Sequence, residues 1–212
     1  MSLALAEPAP IGERLNEILV SLGEAALPAE LAERFGAFAA LLMRWNTRMN
    51  LTAVRDAEGI LRRHFVESIV CTRHLPAEIA TLLDFGSGAG FPGIPIALIR
   101  GEIAVTLGES QGKKAAFLQE AVRVLGLSAR VYADRAEKLD GRFDCVTLRA
   151  VDRMGEAVRA AAGLVVGGGG WMAVLTTLPD RDGIEVWAGE GFAWESRALP
   201  GSSERILLLG RR

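Results

Sequence analysis

The chain has little of what most often carries covalent or metal chemistry: among its 212 residues are two cysteines, Cys71 and Cys145, and two histidines, His64 and His74. Two distant cysteines, with no signal-peptide pattern ahead of them, predict reduced thiols in a cytoplasmic protein and not a disulfide framework. No spacing of His, Cys and acidic residues resembles a metal site, so no metal is expected. Each apolar run is interrupted by Arg or Glu before it reaches the ~20 residues that span a bilayer, so no membrane contact is expected. A formal charge of −2 supplies no overall basic field, and any nucleic-acid surface has to be local. What the chain does have is apolar side chains. At 50% hydrophobic it can build a sizeable core, which excludes disorder as a global description.

Hydrophobic periodicity divides the chain near residue 75. Before it the pattern is helical. Ile11, Leu15, Ile18, Leu19 and Leu22 recur at helical spacing up to Gly23, and Pro28 opens a second stripe through Leu31, Phe35, Phe38, Leu41, Leu42 and Trp45. Asp56 suits the cap of a third helix carrying Ile60, Leu61, His64, Phe65 and Ile69, and Pro76 ends the block. Beyond it strand and helix alternate, which implies a parallel sheet. Strands are predicted at 81–85, 103–107, 129–133, 143–149, 171–175, 191–198 and 204–209, with helices at 93–100, 112–126, 153–164 and 180–188. The last two strands are joined by a Pro200-Gly201-Ser202 turn and read as an antiparallel hairpin. A dehydrogenase half would more often keep alternating, whereas a terminal hairpin is what methyltransferase sheets show. The expectation is an α/β, Rossmann-like class I methyltransferase sheet, residues 76–212, with an N-terminal helical extension, residues 1–75.

The most informative stretch is Asp84-Phe85-Gly86-Ser87-Gly88-Ala89-Gly90-Phe91-Pro92-Gly93-Ile94-Pro95, a strand end, a glycine turn and a helix start. Such a turn can adopt positive φ and lie close against a ligand beyond the carboxyl end of the strand. Gly88-x-Gly90-x-x-Gly93 also matches the dinucleotide fingerprint. Asp84 argues against a pyrophosphate, because its carboxylate would repel one; it favours a cationic ligand such as S-adenosylmethionine. Glu109 ends the second strand, where an acid can accept the hydroxyls of a ribose. Asp134, Ala136 and Glu137 follow the third strand and would border an adenine ring, or Asp134 and Glu137 form a helix capping box. Arg149, after the fourth strand, is placed to bind a cofactor carboxylate, a target base or an RNA phosphate, or to pair with a nearby carboxylate. Cys145, inside that strand, reads as core, and His64 as a hydrogen-bonded structural residue.

Six arginines, Arg44, Arg48, Arg55, Arg62, Arg63 and Arg73, face three acids within residues 44–73, a local balance of +3. With Trp45 and Asn50 nearby they form a candidate phosphate-contacting face, or a solvated helix surface.

Taken together, Arg44-Trp45-Asn46, the run Asn50 to Asp56, Arg63-His64-Phe65, Glu67-Ser68-Ile69, the glycine stretch 84–95, Lys113-Lys114 to Leu118 and Arg149-Ala150 resemble the bacterial glucose-inhibited division protein B family. The resemblance covers roughly residues 30–150. It implies a small-subunit (16S) ribosomal RNA guanine-N7 methyltransferase dependent on S-adenosylmethionine. A monomer is expected, acting on 16S RNA within the small subunit, with naked RNA left open as the substrate. By position it implies cofactor contacts at Gly86, Phe91, Ala136, Glu137 and Arg149; the residues themselves add Asp84, Gly88 and Glu109 to that set. The expectation is that Arg149 also positions the reactants and that Arg44, Arg48, Arg55, Arg62 and Arg63, from their local charge, contact RNA. Two departures stand out: Glu109-Ser110 where the family has Asp-Ser, and Thr176-Thr177 where it commonly has Lys-Gly. The second leaves an RNA contact from that loop absent or supplied elsewhere.

Guanine N7 carries a free lone pair, so its methylation needs alignment and no general base. The chain agrees: it has no Asn-Pro-Pro-Tyr segment after the fourth strand and no exposed nucleophilic cysteine. A nicotinamide oxidoreductase and a non-catalytic RNA-binding or ribosome assembly module remain open as alternatives.

Overall fold

The structure is a computed structural model that describes residues 10–54 and 56–212. Its first helices follow the sequence signals. Helix α1, Ile11–Ser21, ends against Gly23, whose φ of +80° is accessible to glycine at little cost. Helix α2, Ala29–Asn46, starts after Pro28. Helix α3, Ala57–Ile60, is capped by Asp56, whose carboxylate accepts from the Gly59 amide at 2.6 Å. It continues without a break through a π-helical stretch, Leu61–Val66, into α4, Glu67–His74. The third helix is therefore not the regular one that its apolar stripe predicts.

The alternating part forms seven strands: β1 Thr81–Phe85, β2 Ala104–Gly108, β3 Arg130–Tyr132, β4 Cys145–Arg149, β5 Trp171–Thr177, β6 Ala193–Ala198 and β7 Arg205–Arg211. Helices α5 Gly93–Ile99, α6 Gly112–Val124, α7 Met154–Leu164 and α8 Arg181–Ala188 connect them. The sheet order is β3-β2-β1-β4-β5-β7-β6. The five strands β1 to β5 are parallel; β7 runs antiparallel between β5 and β6, as a terminal hairpin requires. The fold class and the hairpin match the sequence reading, and predicted boundaries differ by one or two residues.

Side chains alternate across the sheet with period two. Leu82, Cys145, Ala173, Leu207 and Leu209 face one layer; Leu83, Val146, Met172, Val174 and Leu208 face the other. Helices α7 and α8 cover the second face. The first is covered by α5, α6 and the N-terminal helices, whose Phe35, Phe38, Phe65 and Ile69 share one core with Ile94 and Phe117. Because β1 pairs with β2 on one side and β4 on the other, the chain reverses direction of growth there. A crevice beyond the carboxyl ends of β1 and β4 is where such a sheet binds ligands.

Candidate functional site

A cavity of about 570 Å³ lies at that crevice. Its floor is the glycine turn after β1. Gly86, Gly88 and Gly90 have φ of +72°, +55° and +87°, which non-glycine residues rarely adopt. A Cβ at Gly86 would stand 3.2 Å from Val151, whereas at Gly88 it would meet only the Gly86 carbonyl oxygen at 3.9 Å. Gly88 is thus the bare point of the turn. The turn is pinned by Ser87 N–H to Gly108 O, 2.9 Å, and by Ile94 N–H to Gly90 O, 2.8 Å.

Asp84 lies beneath the turn and does not line the cavity. It is 1% exposed. Oδ2 accepts from the Gly93 amide at 3.1 Å and Oδ1 from Thr147 Oγ1 at 2.8 Å. Burial pushes its carboxyl up to about 6, against the opposing pull of those bonds. Its contribution to the site is to hold the start of α5 under the turn, a role the local sequence did not reveal.

Glu109, just past β2, does line the cavity. Its Oε2 accepts from the Gly88 amide at 2.9 Å and its Oε1 from the Gln111 amide at 2.8 Å, so the carboxylate is held against the glycine turn. On the next rim a short 3₁₀ turn, Ala136–Lys138, brings Ala136 and Glu137 to the cavity. The capping box does not form: Asp134 Oδ1 accepts from the neighbouring Arg135 amide, 2.7 Å, and Asp134 also pairs with Lys138.

The wall opposite comes from the N-terminal helices and from β4. Arg149 lines the cavity, yet its side chain is only 9% exposed. Its Nη2 donates to Glu67 Oε2 at 2.9 Å and to Arg63 O at 2.6 Å. Its guanidinium lies 5.9 Å over the Phe91 ring. Phe91 in turn packs at 5.2 and 5.1 Å on Phe38 and Phe65, and His64 stacks on it at 5.2 Å. His64 is held neutral, its pKa depressed to about 3 by burial first and then by Arg149, Arg63 and Arg205. Its Nε2 is buried without a hydrogen-bond partner among the described residues, unlike the hydrogen-bonded residue that its position predicts.

Two further wall segments, one inside the 50–56 run and one beginning at Ala150, carry part of the family resemblance but no site role in the sequence. Leu51, Thr52, Ala53 and Val54 line the cavity because Asn46 Oδ1 accepts from the amides of Leu51, 3.0 Å, and Thr52, 3.1 Å. The loop Ala150–Arg153 also lines it, with φ of +46° at Ala150 and +53° at Arg153, the kind of strained backbone that collects at functional sites. An apolar period carries no signal for either.

The structure brings Gly86, Gly88, Phe91, Glu109, Ala136, Glu137 and Arg149 to one cavity. The arginines proposed for RNA do not form one free face. Arg44 pairs with Glu120 at 2.5 Å beside Trp45 Nε1, which donates to the same carboxylate at 2.9 Å. Arg62 pairs with Glu58 at 2.8 Å. Arg48 is exposed, Arg63 lines the cavity, and Arg55 lies outside the described residues. Cys71 and Cys145 are fully buried, and burial pushes both thiols up, Cys71 to about 12.

Among solved structures the fold is similar to that of a predicted O-methyltransferase from Agrobacterium tumefaciens. The TM-score is 0.60 at 20% identity, covering 68% of this chain and 80% of that one. A methyltransferase from Pyrococcus furiosus matches with TM-score 0.59 at 12% identity, over 81% and 96% of the two chains. In sequence the chain is 41% identical over 195 residues to ribosomal RNA small subunit methyltransferase G of Stenotrophomonas maltophilia, covering 91% of this chain and 88% of the relative. It is 43% identical over 163 residues to the protein of that name from Halorhodospira halophila, covering 76% and 75%. The profile of the family described as rRNA small subunit methyltransferase G, GidB, matches residues 31–182, and the chain belongs to that family.

Proposed function

We propose that the protein transfers a methyl group from S-adenosylmethionine to N7 of a guanine in 16S ribosomal RNA. The observation that carries this reading is the pairing of the bare Gly88 with the Glu109 carboxylate at the floor of one cavity. An S-adenosylmethionine-sized ligand suits a cavity of this class. Glu109 offers acceptor oxygens for ribose hydroxyls, the turn at Gly86 and Gly88 admits close backbone approach, and Ala136 with Glu137 forms the adenine rim. The cofactor supplies an electrophilic methyl on a sulfonium. The chain's own residues bind, orient and exclude water; none is asked to move a proton, because N7 presents a free lone pair.

His64, kept neutral, and the ion-paired Arg149 add no free charge to the wall beside a cationic ligand, while Arg63 and Lys114 on the same cavity carry the charge available to RNA. RNA phosphates fall to Arg63 and Lys114, which line the cavity, and to the exposed Arg48 and Lys113; these fit better than Arg44 and Arg62, which are held by acids. Residues 1–75 serve as the helical extension and 76–212 as the cofactor-binding domain of a cytoplasmic monomer whose substrate RNA is presented within the small subunit. Family membership favours this reading over a nicotinamide oxidoreductase or a non-catalytic assembly module.

The test is transfer of labelled methyl from S-adenosylmethionine to small ribosomal subunits lacking the modification, followed by nucleoside digestion. The expected product is 7-methylguanosine. Cofactor binding without transfer to RNA would sink the ribosomal substrate.

A further inference from the structure

We infer that Glu67 is a positioning residue for this site, acting through Arg149. It is a buried carboxylate, 2% exposed, on the first turn of α4. Two guanidinium groups from the strands flanking β5 converge on it: Arg149, the last residue of β4, on Oε2 at 2.9 Å, and Arg205, the first residue of β7, on Oε1. A carboxylate is tolerated at this depth only because it is paired. Burial raises its pKa while Arg149, Arg205 and Arg63 oppose that shift.

The consequence for the cavity runs through the π-helical stretch Leu61–Val66. A π-helix shifts the backbone bonds from i→i+4 to i→i+5, and two carbonyls of this stretch also accept from side-chain donors. Arg149 supplies them, bonding Arg63 O at 2.6 Å with a longer contact of 3.5 Å to His64 O, while Ser68 Oγ donates to His64 O at 2.7 Å. Arg63 and His64 are thereby presented at the cavity. With Glu67 in place, Arg149 is a neutralised strut between β4 and the helices. Without it, the nearly buried Arg149 and the partly exposed Arg205 lose their counter-charge, and Arg149 becomes a free positive charge on the wall of the same cavity.

This inference rests on the cofactor reading above, and the cofactor's own charge provides the test. S-adenosylmethionine is a sulfonium cation; S-adenosylhomocysteine has the same nucleoside and amino-acid ends with a neutral thioether. Binding of both is measured by calorimetric titration for the unaltered protein, Glu67→Gln, Arg149→Gln, the double variant, and Arg205→Gln. Glu67→Gln should lower affinity for S-adenosylmethionine relative to S-adenosylhomocysteine by about tenfold, the size expected for residues sharing one ion-pair network. In the double variant that ratio should return to its original value. Arg205→Gln, which leaves one carboxylate facing one guanidinium, should move the ratio the other way or leave it unmoved, and it keeps the inference testable if Glu67→Gln does not fold. Equal loss of both ligands in Glu67→Gln would mark a merely structural role and overturn the inference, as would a ratio change that persists without Arg149. A fall of that ratio in Arg205→Gln overturns it too. Failure of the unaltered protein to bind either ligand overturns the cofactor reading itself, an outcome distinct from these.

Discussion

Asp84 and Gly93 are joined across the glycine turn by a 3.1 Å hydrogen bond from the Gly93 amide to Asp84 Oδ2, at a point where only a hydrogen side chain fits. A Cβ at residue 93 would stand 2.4 Å from Leu107 and 2.6 Å from that carboxylate oxygen. The bond ties the end of β1 to the first turn of α5, and the turn that floors the cavity is strung between them.

The sign of its pH dependence follows from burial. Asp84 has a folded pKa of about 6, above the ordinary 3.8. An acid with a raised folded pKa gains a proton on folding, so its ionised form costs stability above about pH 6 and that cost vanishes as pH falls towards 3.8. Two pKa units correspond to roughly 3 kcal/mol. Asparagine keeps both bonds, accepting from Gly93 and donating to Thr147. Urea unfolding at pH 4.5 and 7.5 should show Asp84→Asn relatively more stable at the higher pH; a difference between variant and wild type that ignores pH would contradict the buried carboxylate.

Glycines of the same turn should separate stability from binding. Gly93→Ala overpacks Leu107 and Asp84 and should cost about 1–3 kcal/mol. Gly88→Ala meets open space, so it should cost only the roughly 1 kcal/mol of a left-handed conformation. It should nonetheless weaken S-adenosylmethionine binding, because its methyl group projects where backbone alone approached the ligand. Melting curves with and without cofactor distinguish the two; a large loss of Tm for the free Gly88 variant would contradict this assignment.

Asn46 should matter out of proportion to its distance from the chemistry. Removing its carbonyl leaves the half-hidden amides of Leu51 and Thr52 without acceptors, at about 1–3 kcal/mol. Asn46→Ala should lower Tm and raise KM for the cofactor, while Asn46→Asp, which retains the acceptor, should recover much of both. Normal kinetics in Asn46→Ala would mean the Leu51–Val54 wall holds itself.

Rim cations can be ranked by salt dependence of RNA binding. Lys114 lines the cavity and Lys113 precedes it on the first turn of α6. Each, changed to Ala, should reduce the slope of log affinity against log salt by about 0.7–1. Arg62→Ala should change it little, since Glu58 already holds that guanidinium. The reverse ranking would return RNA binding to the outer helix face.

Local chemistry made much of the architecture legible in the sequence. Period-two and period-3.6 apolar patterns located the strands and helices. Gly23 and Asp56 marked a helix end and a helix start, and the spacing of Gly86, Gly88, Gly90 and Gly93 located the turn, because each signal depends on residues within one or two turns of each other. Glu109 was placed by the same logic, as the residue that ends a strand beside that turn. What only the tertiary structure decided was which charges are spent on one another. Asp84 is turned beneath the site by Gly93 and Thr147, Arg44 and Arg62 are occupied by Glu120 and Glu58, and Glu67 is enclosed between Arg149 and Arg205. Charge pairing and desolvation depend on distance in space. Glu67 and Arg205 lie far apart in the sequence, and no local pattern reports that the fold brings them together.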